Sequence, residues 1–218
     1  MKSIYTLQDL ELTSFGLRSI KLEMDDTVFL QQGSLDGACG PYCLFMGLLI
    51  LGEIESDQAV NLNTVKGSSR LGKMLKKLAN LEVLIHNGTT TKELTDILDH
   101  GFKKRVKYRV NSKSRNRQLV QFIIDELADN NPVLVTVRNE KINVSHWLLA
   151  IGYETDNDIV TKIFFLDPSR PLHENQYWNA VIVIADNFKM KYHHQWLEPN
   201  NEIKVLFDDC FSIGSKNV

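Results

Sequence analysis

The sequence predicts an α+β fold in which helices come first along the chain and strands follow. Two observations predict this order. Segments with helical spacing of apolar residues run to Asn130, and after Asn131-Pro132 short apolar or alternating runs separated by Asn, Asp, Gly and Pro take over. Helices in one part of the chain and strands in the other indicate a two-lobed domain with a cleft between the lobes.

The helical part starts with a helix that we expect to be buried. It begins near Cys39, is apolar from Leu44 to Leu51, and ends at Gly52, a favourable residue just past a helix C-terminus. Pro41 falls in the first turn, where its missing N–H costs nothing. Because this helix is apolar on all sides, it should be covered on all sides. Three more helices are predicted over Ser69–Ala79, Thr90–Asp99 and Gln118–Asn130, the second with a capping box of Thr90 and Glu93.

The strands are predicted mainly in the last third of the chain. Residues 1–30 alternate loosely and are expected to form an extended lead-in. The later strands, expected to form a mostly antiparallel sheet, are Val133–Val137, Trp147–Tyr153, Ile159–Leu166, Ala180–Ala185 and Ile203–Phe207. A chain of 218 residues with 43% hydrophobic residues can bury one sizeable core. We therefore expect a single domain over residues 1–218, with a mainly helical lobe at 39–130 and a mainly β lobe at 131–218.

Composition narrows the classes of function. Lys and Arg number 25 against 27 Asp and Glu, so the overall charge does not favour a nucleic-acid or anionic-membrane partner. The longest apolar run is too short to span a bilayer, and residues 1–11 lack a signal-peptide core. We expect synthesis in a reducing cytoplasm, and export as an effector by a route that reads no N-terminal signal stays open. Three cysteines do not describe a disulfide framework.

Cys39 is the candidate nucleophile. It follows the glycine-containing loop Gln32–Ala38 and stands where the first helix begins. Free N–H groups and the positive end of the helix dipole at such a position favour thiolate over thiol. Cys43 lies one turn further inside the helix and, like Cys210, is interpreted as a buried apolar residue.

His146 and Asp167 are the candidate base and orienting group. His146 stands at the start of the apolar segment Trp147–Tyr153, and Asp167 follows the end of Ile159–Leu166. A turn at Glu154–Asp158 would join the two strands in a hairpin that brings Asp167 back near His146. A carboxylate there would fix the imidazole tautomer and stabilise the imidazolium that forms with a thiolate.

An acyl-transfer site also needs donors for the oxyanion. The backbone N–H of Cys39 is one candidate, because it lies at the helix start. The side-chain amide of Gln32 is the other, since the intervening loop can fold it back over the cysteine. Gln31 competes with Gln32, and the length of the loop does not decide between them.

These motifs resemble those of papain-like cysteine peptidases, and most of all the bacteriocin-processing (double-glycine leader) peptidase domains and their stand-alone relatives. The resemblance covers roughly residues 30–170. The family pattern of a Gln, a short loop and Cys-Gly-Pro before a hydrophobic helix is matched by Gln32 and Cys39-Gly40-Pro41. Its histidine and Asp-Pro segments are matched by His146–Tyr153 and Asp167-Pro168. Where the family usually has an Asp directly before the nucleophile, this chain has Ala38.

The resemblance implies a papain-like two-lobed fold. The N-terminal helical lobe would contain a central buried helix with Cys39, and the C-terminal, mostly antiparallel β lobe would contain His146 and Asp167. It also implies a cysteine protease that cleaves a peptide or amide bond in a protein or peptide substrate with a Cys39–His146–Asp167 triad and Gln32, without cofactor or metal. Because residues 1–218 include no ATP-binding segment, we expect a stand-alone enzyme and not the peptidase part of an exporter.

Several alternatives stay open on the sequence. The same site could perform glutamine deamidation, transglutamination or isopeptide cleavage, and nothing in the sequence separates these reactions from proteolysis. The basic stretch at 103–117 around Tyr108 could instead bind nucleic acid or an acidic protein. A metal site formed by Cys39, Cys43 and the pair His193-His194 is disfavoured, because the spacing is not that of structural zinc sites.

Overall fold

The computed structural model describes residues 1–23, 25–33, 37–79, 88–112, 114–139, 145–185, 192–198 and 201–216. The α-helices in these residues are α1 (Cys39–Ile50), α2 (Ser56–Val60), α3 (Arg70–Ala79), α4 (Thr91–Phe102) and α5 (Asn116–Ala128). The strands are β1 (Lys2–Thr6), β2 (Leu10–Thr13), β3 (Gly16–Ser19), β4 (Val106–Ser112), β5 (Val133–Asn139), β6 (Ser145–Asp156), β7 (Ile159–Leu166), β8 (Ala180–Val183), β9 (His194–Glu198) and β10 (Asn201–Ser215).

The main sheet is antiparallel and curls onto itself. Its strand order is β1-β6-β5-β10-β9-β8-β7, and β7 also pairs with β6. The strands β5 to β10 therefore form a closed ring, with β1 added outside β6 and β4 added outside β10. Closure leaves these six strands without a free edge between them. Strands β2 and β3 form a separate hairpin.

The core lies between α1 and this sheet. Every residue of α1 except Tyr42 is buried, which confirms the prediction that an all-apolar helix is covered on all sides. The helix packs on β6 and β5. It also approaches β10 so closely that a Cβ at Gly47 would lie 2.6 Å from Ile213 Cδ1. The chain leaves α1 at Gly52, whose φ of +67° is a conformation that side chains disfavour.

Most predicted elements lie where the sequence placed them. The helix beginning at Cys39, the capping box of Thr90 and Glu93, and the hairpin of β6 and β7 are confirmed. The antiparallel sheet is confirmed as well, since each strand pairing in the described residues is antiparallel. The structure is thus mixed α/β with a sheet-rich C-terminal part, and the division into two lobes stays a prediction.

Two predictions about the extent of the sheet were incomplete. The segment at 1–30 was expected to be an extended lead-in, but its first strand, β1, pairs along β6 and belongs to the main sheet. The segment at 39–130 was expected to be mainly helical, and it also contributes β4, which pairs with β10. Strand β4 alternates apolar residues (Val106, Tyr108 and Val110) with polar ones, a strand pattern that the interpretation of 103–117 as a basic stretch overlooked.

In the part of the chain that the structure describes, no helix is both long and apolar enough to cross a membrane.

Candidate active site

The Cys39 thiol lies at the first residue of α1, directly in front of the start of β6. Ala38 occupies the N-cap position and makes no side-chain hydrogen bond to the helix, so no cap side chain covers the first turn. The backbone N–H of Trp147 points at Cys39 Sγ, at an N–Sγ distance of 3.5 Å. Residue 40 must be glycine for this approach, because a Cβ there would overlap the Thr89 hydroxyl and lie 2.9 Å from Trp147 Cδ1.

His146 joins the thiol to a buried carboxylate. It is the second residue of β6, so its side chain reaches the end of the sheet that faces the α1 N-terminus. Its Nε2 lies 2.7 Å from Asp167 Oδ1, and the imidazole is also hydrogen bonded to the Cys39 thiol. Since Nε2 is engaged by Asp167, Nδ1 is the ring nitrogen left for the sulfur. The structure therefore brings the three predicted residues together in the expected order.

The electrostatics of the three groups favour a thiolate–imidazolium pair. Burial raises the pKa of Cys39, but the hydrogen bond and charge of His146 and the backbone N–H groups of Trp147 and Gly40 outweigh it, and the net pKa is below its ordinary value. Burial lowers the pKa of His146, but the hydrogen bonds to Asp167 and Cys39 raise it to about 9. The lowered pKa of Cys39 and the raised pKa of His146 both favour the state in which the sulfur has lost its proton and the ring has kept its own.

Asp167 is held in place by its own turn. Its side chain is fully buried, and Oδ1 accepts from the Ser169 backbone N–H at 2.9 Å and from the Ser169 hydroxyl at 2.7 Å in addition to His146. Burial raises the pKa of Asp167, yet the bonds from His146 and Ser169 leave it below its ordinary value. Asn179 fixes the backbone of the same turn: its Oδ1 accepts from Asp167 N–H at 2.6 Å and its Nδ2 donates to the Asp167 carbonyl at 2.9 Å.

Trp196 and Arg170 pack around the His146–Asp167 pair. The Trp196 ring is nearly parallel to the His146 ring, with an interplanar angle of 14° and centroids 6.1 Å apart. The Arg170 guanidinium carbon lies 5.2 Å from the Trp196 ring centroid, and Arg170 Nε lies 3.3 Å from Asp167 Oδ2. The Trp196 ring and the Arg170 side chain therefore limit the access of water to the Asp167 carboxylate and the His146 ring.

Cys39 and His146 open onto a cavity of about 640 Å³. Its wall includes Gln32, and Asp208 and Asp209 from an irregularity in β10 line the same cavity. The backbone N–H of Gln32 donates to the Pro168 carbonyl at 2.8 Å, which ties this residue to the turn after Asp167. Gln31 is exposed. The placement of Gln32 in the cavity that also contains the thiol favours it over Gln31 as the oxyanion donor.

The other two cysteines differ from Cys39 as expected. Cys43 and Cys210 are fully buried, and burial raises the pKa of each well above its ordinary value. The Cys43 thiol donates to the Trp147 carbonyl at 3.4 Å, and Cys43 does not line the cavity. All three cysteines are free thiols. Of the three, only Cys39 both borders the cavity and has a lowered pKa.

The residues suggested for a metal site and for nucleic-acid binding are arranged differently from the residues around Cys39. Among the residues that the structure describes, no group of three or more His, Cys, Asp or Glu side chains is placed to hold a metal ion. His194, one member of the suggested metal set, is buried, and burial lowers its pKa to about 3. In the basic stretch at 103–117, Arg105 pairs with Glu53 and Arg109 with Glu126, so part of its positive charge is neutralised. Lys113 lies outside the described residues.

Sequence reasoning missed three residues that support the site: Arg170, Asn179 and Trp196. The sequence after Asp167-Pro168 has no recognisable motif, and in the His193–Trp196 segment the only site considered was a disfavoured metal site at His193-His194. The signals were weak, because an Asn twelve residues after the Asp and a Trp on a short strand mark no site by themselves. They become recognisable only when β7, β8 and β9 are placed side by side.

A thiol, an imidazole and a buried carboxylate linked in series, at the start of a buried helix packed on an antiparallel sheet, define a protein of the cysteine-peptidase type. The chain belongs to the Peptidase_C39 like family, whose model matches residues 24–202. It is thus a papain-like relative of the C39 bacteriocin-processing peptidases, as the sequence motifs predicted. Membership supports a hydrolase of the cysteine-peptidase type and implies a protein or peptide substrate. No curated protein matches the chain.

Proposed function

We propose that the protein is a thiol hydrolase that cleaves a peptide or amide bond in a protein or peptide substrate. Cys39 is the nucleophile, His146 the general acid and base, and Asp167 the group that orients and charges the imidazole. The observation that supports this most is the continuous link from Cys39 through His146 to the fully buried Asp167, at the mouth of a cavity.

Acylation of the enzyme follows from the thiolate–imidazolium pair. The Cys39 thiolate attacks the carbonyl carbon of the substrate, so an S–C bond forms and the carbonyl oxygen takes the negative charge. The backbone N–H of Cys39 and the Gln32 amide donate to that oxyanion. His146 gives its proton to the leaving amine as the C–N bond breaks, which leaves a thioester on Cys39 and a neutral imidazole.

Deacylation uses the same groups in reverse. Neutral His146 takes a proton from water, and the resulting hydroxide adds to the thioester carbonyl. The S–C bond then breaks, the carboxylic acid leaves, and the thiolate–imidazolium pair is restored. Asp167 accepts from His146 Nε2 throughout, so the tautomer and direction of the ring are preserved between the two half-reactions.

The residues of the cavity wall favour a substrate with an extended main chain. Thr89, Thr90 and Thr91 precede and begin α4 on one side of the thiol, and Thr136 belongs to β5 on another. The hydroxyls of Thr90, Thr91 and Thr136 are already bonded to Glu93 or Asp209, so contacts with a substrate main chain that passes over Cys39 would come mainly from backbone groups of this wall. A protein or peptide chain of this kind is also the substrate that the family implies.

The experiment is incubation with a complex peptide library, followed by mass spectrometry of the products. The wild-type protein should create new chain termini, and the Cys39→Ala variant should create none. Cys43→Ala is the matched control, because it removes a thiol from the same helix that does not border the cavity, and it should cleave as the wild type does.

The same experiment separates the rival acyl transfers. A deamidase would leave intact peptides whose glutamines have become glutamates, and a transglutaminase would attach a biotinylated amine to glutamine when one is added. Modified glutamines without new termini would contradict cleavage of a main-chain bond by this site. Cleavage that persists in Cys39→Ala would contradict the assignment of the nucleophile.

A further inference from the structure

Arg170 contacts two different members of the site at once. Its Nε lies 3.3 Å from Asp167 Oδ2, and its guanidinium carbon lies 5.2 Å from the centroid of the Trp196 ring. The Trp196 ring in turn stacks on His146. Arg170 therefore reaches the imidazole by two routes, one through the carboxylate and one through the indole.

The two oxygens of Asp167 have unequal surroundings. Oδ1 accepts from His146 Nε2 and twice from Ser169, whereas Oδ2 accepts no hydrogen bond from any described residue. Arg170 thus supplies an ion pair to the oxygen that Ser169 and His146 leave unbonded. A fully buried carboxylate with one unbonded oxygen is costly unless a cation lies beside it.

The ordinary alternative is a surface ion pair of little consequence. Exposed pairs contribute close to nothing, and the Arg170 side chain is 31% exposed. The partner is different, because the Asp167 side chain is 0% exposed. The backbone also favours a fixed geometry, since Asn179 Nδ2 donates both to the Asp167 carbonyl and to the Arg170 carbonyl at 2.9 Å each.

We propose that Arg170 is a positioning residue: its Nε directs the Asp167 carboxylate so that Oδ1 faces His146, and its planar guanidinium keeps Trp196 packed against the imidazole. This inference rests on the proposed function of Cys39, His146 and Asp167. It assigns Arg170 no contact with substrate and no role in proton transfer.

The proposal predicts in which direction the pH of Cys39 deprotonation changes when Arg170 is replaced, and a purely structural role of Arg170 does not. In the described part of the chain, the charged groups near the Cys39–His146 pair include Asp167 on the turn after β7, Asp208 and Asp209 on β10 across the cavity, and Arg138, which pairs with Asp208. Removing the positive charge of Arg170 takes away the cation beside Asp167, while Asp208 keeps its partner Arg138, so the site becomes more negative and a thiolate at Cys39 less favourable. Loss of the Asp167 orientation weakens the imidazolium and acts in the same direction. The pH at which Cys39 loses its proton should therefore rise.

The test is the rate of Cys39 alkylation by iodoacetamide as a function of pH, with the modified residue located by peptide mapping. Arg170→Gln keeps much of the side-chain length and removes the charge, so its midpoint should rise by about half a pH unit to one pH unit. Arg170→Lys keeps the charge but not the planar group, so its midpoint should stay near that of the wild type while its plateau rate falls several-fold. Arg138→Gln is the matched control, because it removes the cation that pairs with Asp208 on the cavity wall and not the one beside Asp167, and its midpoint should rise less than that of Arg170→Gln.

Each outcome decides the proposal. An unchanged midpoint in Arg170→Gln, or an equal change in Arg138→Gln, would overturn it. If Arg170→Gln does not fold, Arg170→Lys is sufficient: a raised midpoint or a wild-type plateau rate in that variant would overturn it as well.

The result also separates this inference from the proposed function. Alkylation reports the thiolate without any turnover. If wild-type Cys39 is alkylated no faster than a free thiol at acid pH, the thiolate–imidazolium pair does not form. Both proposals would then be overturned. A reactive wild-type thiol with no effect of Arg170 would overturn this inference alone.

Discussion

Replacing Asp167 by asparagine is the perturbation that separates a charged site from a merely well-packed one. Asparagine keeps the size and shape of the side chain and removes the charge. The carboxylate it replaces is fully buried and lies 2.7 Å from His146 Nε2, so the interaction is little screened by water. An opposite charge at this range changes a pKa by about one to three units, which corresponds to about 1.4–4 kcal/mol.

The structure gives the sign of each change. The pKa of His146 is raised to about 9 from the ordinary 6.5 although burial lowers it, and Asp167 is the largest cause of the rise. Without that charge the imidazolium should lose its proton at a pH well below 9. Through most of the neutral pH range Cys39 would then lie beside an uncharged imidazole. Burial would be the dominant effect on the Cys39 pKa, so the thiolate should form only at higher pH. His146 is the main group that lowers the pKa of Cys39, so this indirect effect decides the sign.

Two spectroscopic titrations measure the two changes. Nuclear magnetic resonance of labelled histidine follows His146, and ultraviolet absorbance of the thiolate follows Cys39. Asp208→Asn is the matched control, because it removes a carboxylate from the same cavity that is not bonded to His146. A His146 titration that is the same in Asp167→Asn and wild type, or that changes equally in Asp208→Asn, would refute the reasoning.

Three further predictions concern single residues of the site. Gln32→Ala should lower the turnover of a cleaved peptide by about 10²- to 10³-fold through loss of an oxyanion donor, whereas Gln31→Ala should leave kinetics unchanged; equal effects would reject the assignment. Gly40→Ala should lower the free energy of unfolding by about 1–3 kcal/mol because its Cβ meets Thr89 and Trp147, while Gly37→Ala, with its nearest contact at 3.6 Å, should cost little in urea denaturation. Cys43→Ala should destabilise the fold by about 1 kcal/mol through the lost hydrogen bond to Trp147 and a small cavity, with Cys39 still alkylated; loss of that alkylation would be inconsistent with separate roles.

The elements that could be predicted from the sequence are those with a local physical signature. Helix α1 is recognisable because an apolar run with Pro41 in its first turn and Gly52 beyond its end has few other solutions. The hairpin of β6 and β7 follows from two apolar runs around a short polar turn. The hairpin places His146 and Asp167 at the same end, whereas the meeting of Cys39 with these two residues was expected from the family resemblance.

The elements that could not be predicted depend on distant parts of the chain. Strand β4 alternates apolar and polar residues but is mostly exposed, and its partner β10, which pairs with it along seven residues, comes from the far end of the chain. The residues of a single strand do not predict that β5 to β10 close into a ring. Trp196 reaches His146 only because β9 pairs with β8 and β10, and no sequence spacing encodes that contact.

The account depends on one chemical state, a Cys39 thiolate paired with the His146 imidazolium at neutral and mildly acid pH. The most direct measurement is the rate of iodoacetamide alkylation of each cysteine at about pH 6, compared with a free cysteine thiol of ordinary pKa. The account predicts rapid modification at Cys39, with Cys43 and Cys210 unmodified in the folded protein. Modification of Cys39 no faster than that of the free thiol, or faster modification at Cys43, would contradict it.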